Sequence, residues 1–274
     1  MMPPIGYYGA KTRIAGRIAA LLPAHGHYVE PFAGSLAVLL AKPPSHMETV
    51  NDLDGDLMTF WRVLRDRPAD LEAACALTPH ARAEHQAAYQ PADDDLERAR
   101  RVWVLLTQGR GHRLRRTGWR FHADPSGNDL SMPGYLRGYV GRIAPAAARL
   151  ALVSLECRPA LEVISAYGRH PGTLIYADPP YVGTARNSTG YRHEMTREAD
   201  HRDLAAALRA CRAAVVLSGY PSPLYDELYA GWHRHEIRTR TGNGTGDKTR
   251  TEVLWSNRPL AAALPLFSED GGAA

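Results

Sequence analysis

Thr173-Leu174-Ile175-Tyr176-Ala177-Asp178-Pro179-Pro180-Tyr181 is the stretch whose reading decides the fold. Its first five residues are nearly all apolar or β-favouring, which is the pattern of a strand buried on both faces. A strand of that kind belongs to a parallel sheet with helices over both sides. It stops on an acid and two prolines. The prolines fix the backbone and remove two N–H donors, leaving rigidly aimed carbonyl oxygens.

Strand-then-helix units recur on either side of it. Residues 27–30 read as a strand, a Pro31-Phe32-Ala33-Gly34 turn follows, and residues 35–41 read as a helix. Residues 47–51 form a second strand ending at Asp52, with a helical pattern over 57–65. Residues 151–155 and 214–217 are further strands, and 160–167 a further helix. This alternation predicts an α/β fold around a mostly parallel, doubly wound sheet. Between Trp61 and Arg149 no convincing strand occurs, only helical runs such as 94–108 and then a Gly- and Arg-rich stretch. Near the carboxyl end, 234–240 and 251–256 read as an antiparallel hairpin joined by TGNGTGDKTR. The expected organisation is a sheet domain from 1–60 and 150–258, a helical insert over 61–149, and a loose tail over 259–274.

The chain has 274 residues, of which 45% are hydrophobic, enough for one large α/β domain or a core with a smaller insert. The net charge of +4 is compatible with a polyanionic partner and does not prove one. Cys75, Cys157 and Cys211 are far apart and lack metal-ligand spacing, which argues for reduced thiols in a cytoplasm. The start, MMPPIGYYGAKTR, lacks the apolar run of a signal peptide. No run of about 18 uncharged apolar residues occurs, so no membrane-spanning helix is expected. His193 and Glu194, two adjacent residues, make a poor metal site and read as part of a loop. Asp93-Asp94-Asp95 reads as a helix start. No metal is expected.

In an open α/β sheet, ligands bind outside the carboxyl ends of the strands, so Asp178 faces the expected cleft. A carboxylate, an adjacent carbonyl and an aromatic face suit a planar heterocycle bearing an NH2 group, with Tyr181 stacking on the ring. Glu30-Pro31-Phe32-Ala33-Gly34 ends the first strand on small residues, letting a ligand approach the backbone. Asp52, 22 residues after Glu30, is placed to accept hydrogen bonds from ribose hydroxyls. There is no GxGxxG, so these residues point to a nucleoside-bearing cofactor that need not be a dinucleotide. Tyr7-Tyr8-Gly9-Ala10-Lys11 is a turn whose aromatic rings and lysine can pack on an adenine and reach a carboxylate.

In this order the motifs resemble the Dam-like class of adenine-N6 DNA methyltransferases. The YYGGK-type element is Tyr7 to Lys11, the EPFxGxxA turn Glu30 to Ala37, the NDxxxDL element Asn51 to Leu57, and the DPPY motif Asp178 to Tyr181. His201-Arg202-Asp203-Leu204, Leu217-Ser218-Gly219-Tyr220 and Thr251 through Asn257 also look like family elements. The resemblance implies a Rossmann-like methyltransferase sheet with S-adenosylmethionine as cofactor. It implies cofactor contacts at Tyr7, Lys11, Asp52 and Asp178, with Glu30, Phe32 and Gly34 lining the same side. It implies a catalytic role for Asp178, Pro179, Pro180 and Tyr181, and a target adenine flipped out of double-stranded DNA. The insert before DPPY would read the target. Ala10 stands where the family usually has glycine; if that position needs φ > 0, alanine costs roughly 1 kcal/mol.

Arg110, Arg113, Arg115, Arg116 and Arg120 crowd one segment of the insert, and arginine forks suit phosphates and guanine edges. This segment is the expected DNA contact, with Arg240, Lys248 and Arg250 in the hairpin loop as a weaker second. The implied protein is a cytoplasmic monomer, with a restriction endonuclease as a conceivable partner. Methylation of cytosine N4 and a catalytically silent DNA-binding relative stay open as alternatives. A nicotinamide dehydrogenase is disfavoured by the missing glycine fingerprint.

Overall fold

Val29, Ile175 and Val215 pack on one face of a central sheet, and Tyr28, Leu174 and Val216 on the other. Consecutive side chains of a strand point to opposite faces, so apolar runs rather than alternating ones demand cover on both sides. A computed structural model describes residues 1–123, 131–181, 190–241 and 248–261, without the side chains of 239–241 and 248–250. The hairpin loop 242–247, the tail beyond 261 and the side chains of Arg240, Lys248 and Arg250 therefore lie outside the described residues.

The strands are β1 (His27–Glu30), β2 (Met47–Asn51), β3 (Val153–Glu156), β4 (Thr173–Ala177), β5 (Ala214–Gly219), β6 (His233–Thr241) and β7 (Lys248–Ser256). They lie in the order β3-β2-β1-β4-β5-β7-β6. The first five run parallel, with Val29 opposite Thr49 on one side and Ile175 on the other. β7 then enters antiparallel between β5 and β6, pairing Leu217 with Trp255. The hairpin is thus found with its second strand on the inside and its first strand at the edge. Strand order reverses between β1 and β4, and that switch point opens a crevice at their carboxyl ends.

In chain order the helices are α1 (Ala15–Leu21), α2 (Ala37–Ala41), α3 (Gly55–Asp66), α4 (Pro68–Leu77), α5 (Arg82–Ala87) and α6 (Asp95–Gln108). There follow α7 (Met132–Val140), α8 (Ile143–Leu150), α9 (Ala160–Tyr167), α10 (Glu198–Arg209) and α11 (Pro223–Leu228). Asp54 caps α3 by accepting from the Asp56 and Leu57 backbone N–H groups, satisfying donors that a helix start leaves open. The helix buries Leu57, Phe60, Trp61 and Leu64. These join Tyr28 and Val50 of the sheet and Leu71, Trp103 and Ile143 of the insert in one apolar cluster. Helix α3 therefore runs through the boundary expected at 60–61, and the helices of 61–149 share the core of the sheet domain. α10 buries His201, Leu204, Ala205 and Leu208 against the opposite face. Each fully buried side chain of this size contributes about 1.5–3 kcal/mol.

Candidate active site

The strand ends meet around a cavity of about 440 Å³ whose wall includes Tyr7, Lys11, Glu30, Phe32, Gly34, Asp52 and Asp178. Every residue expected to hold the cofactor thus lines one space, and the volume lies in the range of small-molecule sites. Pro180 and Tyr191 also line it.

The turn after β1 brings the backbone in close. Gly34 has φ +48°, and a Cβ there would lie 3.1 Å from the Tyr7 ring, so glycine leaves the space that a side chain would take. Its N–H donates to Asp52 Oδ2 at 3.0 Å, and its carbonyl accepts from Trp61 Nε1 at 3.0 Å. Asp52 Oδ1 accepts from the Asp54 N–H at 3.0 Å. Burial raises the Asp52 pKa against these two hydrogen bonds. The first turn of the chain is equally ordered. Gly9 takes φ +77°, whereas Leu36 and His112 are the non-glycine residues with positive φ among those described. Ala10 is not one of them, so the expected penalty at that position does not arise.

Asp178 leaves β4 at the switch point and is held by two elements. Lys11 Nζ lies 2.8 Å from each of its carboxylate oxygens, the Ser218 hydroxyl donates to Oδ1 at 2.9 Å, and the Tyr181 hydroxyl oxygen lies 3.0 Å from the same Oδ1. Burial alone would lower the Lys11 pKa, but the Asp178 and Glu252 carboxylates outweigh it and hold it above the ordinary value. Glu30 is 3% exposed and accepts from the Tyr28 hydroxyl at 3.0 Å. Burial pushes its pKa up to about 8.

Tyr181 sits differently from the stacking expected of it. Its hydroxyl reaches Asp178 and Glu252, Lys11 Nζ lies 4.8 Å from its ring centre, and Tyr220 packs edge-on at 4.6 Å. The half-buried ring is not part of the cavity wall. Among the described residues after Tyr181, the aromatic side chain that lines the cavity is Tyr191, which packs against Tyr7 and, edge-on at 5.2 Å, Tyr8. Tyr191 escaped the sequence reading, whereas Ser218 and Glu252 fell within stretches read there as family elements without a site role. Glu252 left a signal there: a lone acid in the apolar strand pattern TEVLWS.

The arginine segment packs back on this site. The Tyr8 N–H donates to the His112 carbonyl at 2.9 Å, and Arg113 lies 4.4 Å above the Tyr8 ring. Arg115 donates to the Arg192 carbonyl at 3.4 Å. Arg192 in turn pairs with Asp56 at 2.6 Å and donates to the Leu114 carbonyl. Arg120 is tied to Tyr135 at 2.9 Å. Arg110 and Arg116 are exposed. Backbone bonds from Arg110 to Gly118 and from Arg120 to Gln108 close the segment into a narrow loop. Among the described residues no group of three His, Cys, Asp or Glu side chains is placed to hold a metal.

Sheet order, switch-point cavity and glycine turn together make a Rossmann-like α/β fold with a small-molecule site at its switch point. A model of the D12 class N6 adenine-specific DNA methyltransferases matches residues 7–100 and 142–243, and the chain belongs to that family. It is 26% identical to the type II methyltransferase M1.LlaDCHI of Lactococcus lactis subsp. cremoris, over 94% of this chain and 95% of that one. It is 27% identical to the retron Ec67 DNA adenine methylase of Escherichia coli, over 90% of this chain and 88% of that one. A solved rRNA methyltransferase, aviRa from Streptomyces viridochromogenes, is 17% identical with a TM-score of 0.37, covering 92% of this chain and 86% of that one. The protein transfers a methyl group from S-adenosylmethionine to the N6 amine of adenine in DNA. Among the described residues no helix is long and apolar enough to cross a membrane.

The cavity fits that cofactor chemically. Asp52 retains lone pairs for a ribose diol, Asp178 suits an ammonium, and the glycine turn leaves room for a chain of sp³ atoms beside Tyr7, Glu30 and Phe32.

Proposed function

We propose that Asp178 and the Pro179 carbonyl hold the target N6 amine, and that Tyr7, Lys11, Glu30, Phe32, Gly34 and Asp52 hold the cofactor beside it. The observation that carries this reading is the fixing of Asp178 at the switch point by Lys11 and Ser218. S-adenosylmethionine, when bound, supplies a methyl group on a sulfonium and needs no activation by the protein. The work of the chain is to aim the amine. An adenine N6 lone pair is delocalised into its ring and is a poor nucleophile. Two acceptors aimed at its hydrogens draw the nitrogen toward tetrahedral geometry and stabilise the positive charge that develops there. Positioning of the two partners supplies most of the rate. Pro180 keeps the backbone of the motif rigid, and Tyr181 acts on Asp178 rather than on the base. The in-line transfer uses no metal and no covalent intermediate.

The insert is the reader of the target in this reading, with Arg110, Arg113, Arg115, Arg116 and Arg120 nearest the site. The family match skips residues 101–141, where these arginines lie, which supports a specificity of this chain's own. The flipped adenine enters past Tyr191. The relative named a type II methyltransferase supports a place beside a restriction endonuclease, and we propose a monomer acting in the cytoplasm.

The test replaces Asp178 with alanine. Turnover falls by roughly 10²-fold or more, the scale of a mispositioned reacting group, while the fold survives. Nucleoside mass analysis of the methylated DNA reads turnover and separates adenine from cytosine. Near-normal turnover in this variant would place the amine on another residue.

A further inference from the structure

The Tyr181 hydroxyl lies between two carboxylates, 3.0 Å from Asp178 Oδ1 and 2.5 Å from Glu252 Oε1. It has one hydrogen. Whichever carboxylate receives it becomes the weaker acceptor for anything else, because a donated hydrogen bond draws charge off the anion. Asp178 already takes Lys11 on both oxygens and Ser218 on one, so a further donor competes directly with an incoming amine. The shorter contact puts the hydrogen on Glu252.

Glu252 comes from β7, is 5% exposed, and also lies 3.7 Å from Lys11 Nζ. The titratable groups that face it among the described residues are Lys11 from the amino-terminal turn, Asp178 and Tyr181 after β4, and Tyr176 within β4. Its partner across the ladder is the apolar Ile237. Two carboxylates against one ammonium leave an excess negative charge in the interior. Burial first, and then the Asp178 charge, raise the Glu252 pKa to about 7, with Lys11 opposing.

We propose that Glu252 is a positioning residue for methyl transfer: as a carboxylate it draws the Tyr181 hydroxyl hydrogen to itself, leaving Asp178 to accept from the target amine. Protonated, Glu252 ceases to be an anionic acceptor and the Tyr181 hydrogen turns to Asp178. The amine then meets a weaker acceptor, and transfer slows on the acid side. No bond to carbon or sulfur is made or broken by Glu252 itself. The inference rests on the reading of Asp178 as the holder of the amine.

The test is the single-turnover rate of the full chain with DNA and S-adenosylmethionine across pH, for wild type, Glu252→Gln, Tyr181→Phe and Asp178→Ala. Wild type loses about tenfold between about pH 8 and about pH 6, following a group that titrates at about 7. Tyr181→Phe lacks that acid limb, because no hydroxyl remains to turn. Glu252→Gln is slowed at high pH and also lacks the limb. Without cofactor, acidifying the wild type through neutrality raises the infrared carbonyl absorption of protonated carboxylic acids, and Glu252→Gln loses the part that grows in near about pH 7 while keeping the part that Glu30 contributes. A wild-type acid limb kept in Tyr181→Phe, with Asp178→Ala inactive, overturns the role of Glu252 alone. A uniform loss in Glu252→Gln with the limb intact does the same. Normal transfer by Asp178→Ala overturns the reading of Asp178, and this role with it.

Discussion

Lys11 Nζ is equidistant from the two carboxylate oxygens of Asp178, 2.8 Å from each, though 167 residues separate them in the chain. Lys11 is 7% exposed and Asp178 19%, so the pair is largely withdrawn from water. Removing one partner of such a pair leaves a buried charge uncompensated, here with Glu252 beside it. Lys11→Ala therefore loses about 3 kcal/mol of stability, read from urea unfolding followed by circular dichroism. An unchanged midpoint would mean that water already screens the cluster.

Asp52 fastens the Gly34 turn to the end of β2 and lines the cavity. Hydrogen bonds to a charged group are worth about 1.5–3 kcal/mol. Asp52→Ala weakens binding of S-adenosylmethionine and of its demethylated product about tenfold or more in calorimetry. Equal affinity for both ligands in variant and wild type would remove Asp52 from the cofactor site.

Glu30 makes stability depend on pH. Burial lifts its folded-state pKa to about 8, the Tyr28 hydroxyl opposes that, and the Asp178 charge adds to it. An unfolded glutamate titrates near about 4.3, so between the two values the native state binds a proton that the unfolded state does not. Its contribution is complete below about 4.3 and is lost as pH rises through about 8. Urea unfolding from about pH 5 to about pH 8 shows wild type losing on the order of a few kcal/mol. Glu30→Gln, neutral throughout, loses less over the same window. Parallel curves for the two proteins would show that another group carries the slope.

The arginines of the insert divide by their packing. Arg110 and Arg116 are exposed and lie over the rings of Phe121 and Tyr89, away from the cavity wall, whereas Arg113 covers the Tyr8 ring and Arg115 reaches the Arg192 carbonyl. Replacing Arg110 and Arg116 with alanine lowers DNA affinity and reduces the salt slope by about 2, as loss of two phosphate contacts requires. Cofactor affinity is unchanged in that double variant. Arg113→Ala also lowers cofactor affinity, because it loosens the turn that carries Lys11. An unaltered salt series for the double variant shifts the DNA contact to Arg240, Lys248 and Arg250.

What the sequence determined was the sheet and the ends of its strands. The apolar run Thr173 to Ala177 and its counterparts settle parallel strands covered on both faces, because period and burial are local properties of the chain. Glu30, Asp52 and Asp178 were legible for the same reason, since a parallel sheet puts the residue after each strand at one edge. What only the tertiary structure decided is which long-range neighbours those residues acquire. Glu252 and Ser218 reach the Asp178 cluster through the order β4-β5-β7, and Tyr181 turns its hydroxyl inward between two acids. The helices of 61–149 look detached in sequence because they contain no strand, yet α3 carries Phe60 and Trp61 into a core shared with Trp103 and Tyr28. Strand pairing and helix docking are set by burial summed over the whole chain, and no window of sequence contains both partners.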